Sequence, residues 1–356
     1  MHTKYWKVNP FTPQNNMRRV LEAAANIAGG GIVAFPTETV YGLGGRALCP
    51  EAVEKIFLAK GRPGDNPLIV HIAYFWQAPF LVREVPIKAK VLARRFWPGP
   101  LTLVMPKSPA VPEAVTAGLD TVAVRMPDHP VARELIRLSG CTIAAPSANI
   151  SGKPSPTTAR HVLRDLYGKI DGILDGGPCE VGVESTVVDV TSRVPVLLRP
   201  GGISKEQLEE TVGEILVDPN MQEPNGDAPP RSPGMKYTHY APSGKVFLVE
   251  GEPEKAAAWI RRECLVNREK GRRTAVLCSR ETAHFYNGCV GSNGFVEVLG
   301  SKSELESVAR HLYSALRRCD LENIENIYLE TYSAQGIGLA VMNRMYKASG
   351  SNIVRV

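Results

Sequence analysis

Between residues 16 and 213 the chain alternates helical stretches with short apolar runs, and most of the apolar runs lead into a polar turn rich in glycine and proline. Such alternation is the mark of an α/β domain, and open α/β sheets take their ligands in the turns beyond the strand ends. The spacing predicts helices over 17–28, 51–60, 87–96, 130–138, 158–167 and 205–212. It predicts strands over 32–35, 68–72, 101–105, 122–124, 142–145, 172–174, 186–190 and 196–198. Ser204 and Gln207 stand at the spacing of a capping box for the last helix.

The pattern breaks over 217–244, where Pro219, Pro224, Pro229, Pro230, Pro233 and Pro242 leave little apolar periodicity and a linker is expected. Its stretch MKYTHY, residues 235–240, carries more aromatic and polar side chains than a spacer needs. Beyond it, strands are expected over 246–250, 274–278, 295–299 and 327–330, with helices over 254–269, 304–318 and 336–347, and Ser303 with Glu306 again fits a capping box. The expected organisation is therefore a first domain over 1–215, a linker over 216–244 and a smaller domain over 245–356. The second domain has no G-x-G-x-x-G after its first strand, so no dinucleotide is assigned to it.

Composition narrows the class. Hydrophobic residues make up 44% and charged residues 22% of 356, enough for packed cores without the charge excess of a disordered chain. The net charge of +6 is divided evenly, +3 on each side of residue 245, so no basic tail announces a nucleic-acid partner. The seven cysteines are scattered, with no C-x-x-C pair, which argues against a disulfide framework or a zinc site. The first sixteen residues lack a signal-peptide core, and the longest apolar stretch, 68–82, is interrupted by His71 and Gln77 and is too short to span a bilayer. A reduced, cytoplasmic protein with no membrane association is expected.

The chemistry lies in six turns. PTETVYGLGG, residues 36–45, offers hydroxyls, a carboxylate and glycines to a small polar ligand, or is a plain turn. Lys60 and Arg62, one glycine apart in a proline-stiffened loop, suit phosphate oxygens; alternatively they are a solvated pair at a helix C-terminus. His71 lies inside an apolar strand, as a ligand contact or as a core histidine satisfied by a backbone group. Thr121, Ala123 and Arg125 share one strand face, and an arginine there needs an anion, from a substrate carboxylate or from an internal Asp or Glu. AAPSAN, residues 144–149, followed by Ser155, lets a ligand approach the backbone and offers hydrogen bonds; VEST at 183–186 and LRPGG at 198–202 complete the set. A P-loop, a G-x-S-x-G elbow and a metal-ligand cluster are not found in the sequence.

Taken in order, FPTETVYGLG (35–44), KGRPGDNPLIVHI (60–72), WPGPLTLV (97–104), AGLDTVAVRMPDHP (117–130), APSANISGKPSP (145–156), GVESTVVDV (182–190), LLRPG (197–201) and SPGMKYTHYAP (232–242) resemble the YrdC family of threonylcarbamoyl-AMP synthases in its two-domain form. The resemblance covers nearly the whole chain. It implies a YrdC-like twisted mixed sheet with flanking helices, followed by a smaller Rossmann-like α/β domain. It implies synthesis of L-threonylcarbamoyladenylate and pyrophosphate from L-threonine, bicarbonate or CO2, and ATP, for a tRNA modification next to the anticodon. By the family pattern, Thr39, His71, Arg125, Ala145 and Ser185 contact threonine. Arg62, Asn66, Thr121, Ser147, Asn149, Ser155 and Arg199 surround ATP, with Lys60 and Arg62 acting on the phosphates. The linker is implied to be a lid, which adds His239 and Tyr240. Mg2+ is expected to ride on the ATP phosphates, and a tRNA threonylcarbamoyltransferase complex is the expected downstream partner, with direct tRNA binding left open. Two competing readings stand beside this one: an RNA-binding module without chemistry, and carbamoyl transfer of the hydrogenase-maturation type, whose zinc-finger and acylphosphatase-like segments are missing from this sequence.

Overall fold

The computed structural model describes residues 2–10, 16–221, 240–350 and 352–356. The chain divides into two compact units, Met1–Ser151 with Ser155–Tyr237, and Gly152–Pro154 with Thr238–Val356.

The first unit runs β1 (Lys4–Lys7), α1 (Met17–Ala28), β2 (Val33–Phe35), β3 (Gly42–Arg46), α2 (Pro50–Lys60), β4 (Ile69–His71), α3 (Ala78–Leu81), α4 (Ile87–Phe96), β5 (Leu101–Pro106), α5 (Glu113–Thr116), β6 (Thr121–Arg125), α6 (Pro130–Ser139) and β7 (Ile143–Ala144). It continues with α7 (Ala159–Leu166), β8 (Gly172–Asp175), β9 (Thr186–Asp189), β10 (Val196–Arg199), α8 (Lys205–Val212) and β11 (Leu216–Val217). Its strands form one mixed sheet in the order β1-β8-β2-β3-β7-β4-β6-β5-β9-β10-β11. Helix α1 forms where expected because Val20, Ala23, Ala24 and Ile27 fall on one stripe, which packs with Leu135 and Ile136 of α6 against Trp6, Phe35 and Leu174. Burying each larger aliphatic side chain of this layer contributes roughly 1.5–3 kcal/mol.

Local signals set the helix ends. Pro50 and Pro130 occupy first turns, where the missing N–H costs nothing, and Gly61 closes α2 in the left-handed region at φ 59°. The Ser204/Gln207 capping box is present in both directions. Residues 216 and 217, assigned to the linker on sequence, pair in parallel with Val196 and Leu197 and extend the sheet as β11.

The second unit runs β12 (Lys245–Glu250), α9 (Pro253–Glu269), β13 (Thr274–Ser279), β14 (Phe295–Gly300), α10 (Leu305–Leu321), β15 (Asn326–Glu330), α11 (Gly338–Ser349) and β16 (Ile353–Arg355). All of its strand pairings are parallel, in the order β14-β13-β15-β12-β16, as expected of strands linked by helical crossovers. The expected Ser303/Glu306 capping box does not form. Helix α10 starts at Leu305 after Glu304, which has no side-chain cap, and the Ser303 hydroxyl is instead 2.7 Å from that of Ser301. A bridge between Ser301 and Glu304 fixes this turn in another geometry. All seven cysteines are free thiols. No helix among the described residues is long and apolar enough to cross a membrane.

Candidate active site

Helix α2 carries Lys60 to its last position, and the Gly61 turn then sends the chain back toward β4. Lys60 is only 2% exposed. Its ammonium donates to the carbonyl of Ser147, to that of Asn149 at 2.6 Å and to the Asn149 side-chain oxygen at 3.4 Å. A solvated lysine at a helix end is thereby excluded: the charge is buried and ties α2 to the turn after β7. That turn is stiffened further by Ser147 Oγ donating to Asn149 Oδ1 and by a bridge between Ser147 and Gly42. Arg62 is half-buried, with one guanidinium nitrogen 3.3 Å from the Asn66 carbonyl and its Cζ 6.0 Å from the centre of the Phe57 ring. Asn66 is fully buried, and neither atom of its side-chain amide has a hydrogen-bond partner among the described residues. An amide offers two donors and an acceptor, and leaving such groups unpaired costs on the order of 1–3 kcal/mol each, so the site retains polar capacity for a ligand.

Across the sheet, register brings the remaining polar residues together. His71 of β4 lies opposite Arg125 of β6, which lies opposite Thr102 of β5. Thr102 Oγ1 is 2.8 Å from Ser185 Oγ, and Arg199 of β10 donates to the Ser185 carbonyl at 3.0 and 3.1 Å and to its hydroxyl at 3.1 Å. Ala145 hangs on the same framework, its N–H donating to Ile69 at 2.9 Å. Ser155 donates to Glu184, next to Ser185. Thr39 is buried with its hydroxyl 2.8 Å from that of Thr37, and its carbonyl accepts the N–H of Gly182. Thr121 stands apart from Arg125 at the start of β6, four residues away and so about 13 Å along the strand. The parallel pairing of β4 with β6, with Ile69 opposite Ala123, puts the Asn66 end of the preceding loop at that same end of the strands.

The anion that Arg125 requires is internal: Glu38 Oε1 lies 2.6 Å from its guanidinium, and both side chains are buried. Arg125 Nε also donates to the Gly99 carbonyl at 3.3 Å. Removing one member of such a pair costs about 3–5 kcal/mol, because the other is left buried and uncompensated. The His71 imidazole is held down to about 3, by burial first and by the Arg125 cation second, so it is neutral at physiological pH. Its Nδ1 is 3.2 Å from the Ile69 carbonyl, and its ring meets Phe35 edge-on at 6.1 Å.

Three partners of these side chains were not assigned from sequence: Glu38, Thr102 and Glu184. Glu38 was visible only as the carboxylate of its motif. Alternation along β5 exposes Thr102 as the polar position of an apolar strand, the one local signal available for it. Tyr240 lies in the second unit, where its ring is 5.4 Å from that of Tyr313 and 5.6 Å from the Arg344 guanidinium. His239 and the rest of the expected lid over 222–239 lie outside the described residues.

Known proteins resemble this chain over its whole length. Residues 25–201 match the family model described as "Telomere recombination", built on Sua5, YciO and YrdC proteins, and residues 203–350 match the "Threonylcarbamoyl-AMP synthase, C-terminal domain". The chain is 50% identical to a threonylcarbamoyl-AMP synthase of Bacillus subtilis over the full length of both. It is 52% identical to that of Pyrococcus abyssi over 94% of this chain and 95% of the relative. The structure of P. abyssi Sua5 complexed with L-threonine superposes with a TM-score of 0.90 at 48% identity, covering all of both chains. Escherichia coli YciO shares the fold of the first unit, at a TM-score of 0.50 and 22% identity over 56% of this chain and 96% of that one. The chain belongs to the threonylcarbamoyl-AMP synthase family, in the form that carries a second, C-terminal domain.

Proposed function

We propose that this chain condenses L-threonine, bicarbonate or CO2, and ATP into L-threonylcarbamoyladenylate and pyrophosphate, in the cytoplasm, for transfer to tRNA by a downstream threonylcarbamoyltransferase complex. The observation that carries the proposal is the continuous run Arg199–Ser185–Thr102–Arg125–His71 across adjacent strands, with the Lys60–Ser147–Asn149 knot and the unpaired Asn66 amide in the turns of the same unit. The amino acid would lie against Thr39, His71, Arg125, Ala145 and Ser185. The nucleotide would lie along Arg62, Asn66, Thr121, Ser147, Asn149, Ser155 and Arg199. A span of about 13 Å between Thr121 and Arg125 suits the two ligands end to end.

In this reading the threonine carbamate oxygen attacks the α-phosphorus of ATP in line and pyrophosphate leaves. A carbamate is already anionic, so the displacement needs positioning and charge neutralisation rather than a protein nucleophile. Arg62 and Lys60 fit that role, Lys60 by anchoring the turn that presents Ser147 and Asn149. Among the described residues no three His, Cys, Asp or Glu side chains group to hold a metal ion. Mg2+ would therefore arrive on the triphosphate and be held by phosphate oxygens and water, its charge offsetting that of the leaving pyrophosphate.

The test is pyrophosphate release by the purified full-length chain with ATP, Mg2+ and bicarbonate, each amino acid being added in turn. Threonine should stand out and bicarbonate should be required. Turnover indifferent to threonine, or RNA binding without any turnover, refutes the proposal.

A further inference from the structure

Making a carbamate from an amino acid consumes an ammonium group. In balanced form, R–NH3+ and HCO3− give R–NH–COO−, water and one proton, and the free amine must exist before the N–C bond can form. The threonine-facing set therefore needs a proton acceptor. His71 is a poor one, because burial and Arg125 hold its imidazole down to about 3. The Cys179 thiol nearby is pushed far above its ordinary range by burial and remains protonated.

Glu38 supplies a buried carboxylate in direct contact with Arg125 of that set. It sits between Thr37 and Thr39 and is 6% exposed. Its backbone is fixed by its carbonyl accepting the Val181 N–H at 2.8 Å. Oε1 is committed to Arg125 at 2.6 Å, whereas Oε2 is buried and has no hydrogen-bond partner among the described residues. A buried carboxylate oxygen left without a donor destabilises the fold, so its presence beside Arg125 needs a reason. The same side chain lines a cavity of about 680 Å³ together with Asp128, His129, Glu180, Lys7 and Arg19. The ionisable groups around Glu38 are Arg125 from β6, Asp128 and His129 from the turn into α6, and Cys179 with Glu180 from the loop after β8. Asp128, raised from its ordinary value by burial and then by the Glu38 charge, offers a second carboxyl on the way to solvent.

We propose that Glu38 is the general base for the amino-acid ammonium, with Oε2 as the accepting atom and the Asp128 cavity as the route by which the proton leaves. This assignment deepens the function proposed above and rests on it. In the step, one N–H bond breaks, its electron pair stays on nitrogen and the proton forms an O–H bond at Oε2. The nitrogen lone pair then forms the N–C bond to CO2 released from bicarbonate, and the hydroxide left behind takes the second proton as water.

The test is Glu38→Gln in the full-length chain, which keeps the size of the side chain and an oxygen for Arg125 but removes the base. Threonine affinity by calorimetry should fall far less than kcat for pyrophosphate release at neutral pH, which drops by about 100-fold or more. The deficit should narrow as pH is raised past the amine's own pKa. It should also narrow with 4,4,4-trifluorothreonine, whose fluorines make the amine less basic, by about tenfold for each unit of lowered pKa. A purely structural role would move KM and leave the deficit independent of pH and of amine basicity, and that result overturns the assignment. Should the glutamine variant not fold, Glu38→Asp decides: a displaced acid limb in the kcat profile supports the base, and an unchanged profile overturns it. Wild-type protein that releases no pyrophosphate with threonine defeats the function itself, a result distinct from either.

Discussion

Replacing Lys60 by Met tests whether a buried ammonium organises the turn after β7. Lys60 is 2% exposed and donates to the carbonyls of Ser147 and Asn149. Hydrogen bonds from a charged donor contribute about 1.5–3 kcal/mol each, and Met restores apolar contact but no donor, so the loss should be about 3–5 kcal/mol. For a unit of this size each kcal/mol moves the melting temperature by about 2–4 °C, so it should drop by roughly 6–20 °C. Scanning calorimetry reads this. Because Ser147 and Asn149 lose their anchor, nucleotide affinity should fall in parallel. A loss below about 1 kcal/mol would mean that the ammonium is hydrated in the folded protein, and the account of this turn given above would be wrong.

Other consequences are as direct. Ser204→Ala should cost about 1 kcal/mol in urea unfolding, since its hydroxyl caps α8, and Ser303→Ala should cost clearly less, since Ser303 caps nothing; equal losses would contradict the turn geometry. At Gly201 an added Cβ would lie 2.2 Å from the Thr186 nitrogen and 2.3 Å from the Glu184 carbonyl oxygen, backbone atoms that cannot yield. Gly201→Ala should therefore destabilise by about 3 kcal/mol, the upper end for overpacking, and should disturb Ser185; a normal melting curve refutes it. His71 and His129 are held down to about 3 and about 4, chiefly by burial, against 6.5 when unfolded. Both are neutral in the fold, so their stabilisation is complete above pH 6.5. It erodes below that as the unfolded chain takes up protons, by up to about 1.4 kcal/mol per pH unit for each histidine. Between pH 6.5 and 5 the melting temperature of the first unit should fall, and His71→Asn should make that slope shallower; an unchanged slope counts against the buried, neutral imidazole.

What the sequence reveals depends on how local the cause is. Helix α1 is readable from the stripe at positions 20, 23, 24 and 27, and α8 from its cap. Strand β3 is not, because GLGGR has no alternation; its Gly44 sits where a Cβ would meet Phe35 at 2.7 Å and Ile143 at 2.6 Å, so close packing chose the residue. The turns of the candidate site are legible as small and polar residues behind apolar runs. Their wiring is not: Arg125 finds Glu38 and Lys60 finds Ser147 only through the register of distant strands. A motif can place a carboxylate in a turn, but whether it holds a structural cation or a substrate is settled by which strands become neighbours. Ser303 shows the reverse failure, a correct spacing overridden by a bridge two residues away.

The first strand has a consequence for how the chain is made. Lys4–Lys7 pairs in parallel with Gly172–Asp175, and Trp6 lies so close over Gly172 that a Cβ there would meet its ring at 2.1 Å. Strand β1 is synthesised well before β8 and must wait until β8 has emerged before its backbone groups find strand partners. Until then Trp6 and Val8 lack the Leu174 side of their core, and the early product carries an open, adhesive edge. Synthesis slowed anywhere between these two strands would prolong that exposure, and the yield of soluble protein would register the delay although no residue of the mature molecule had changed.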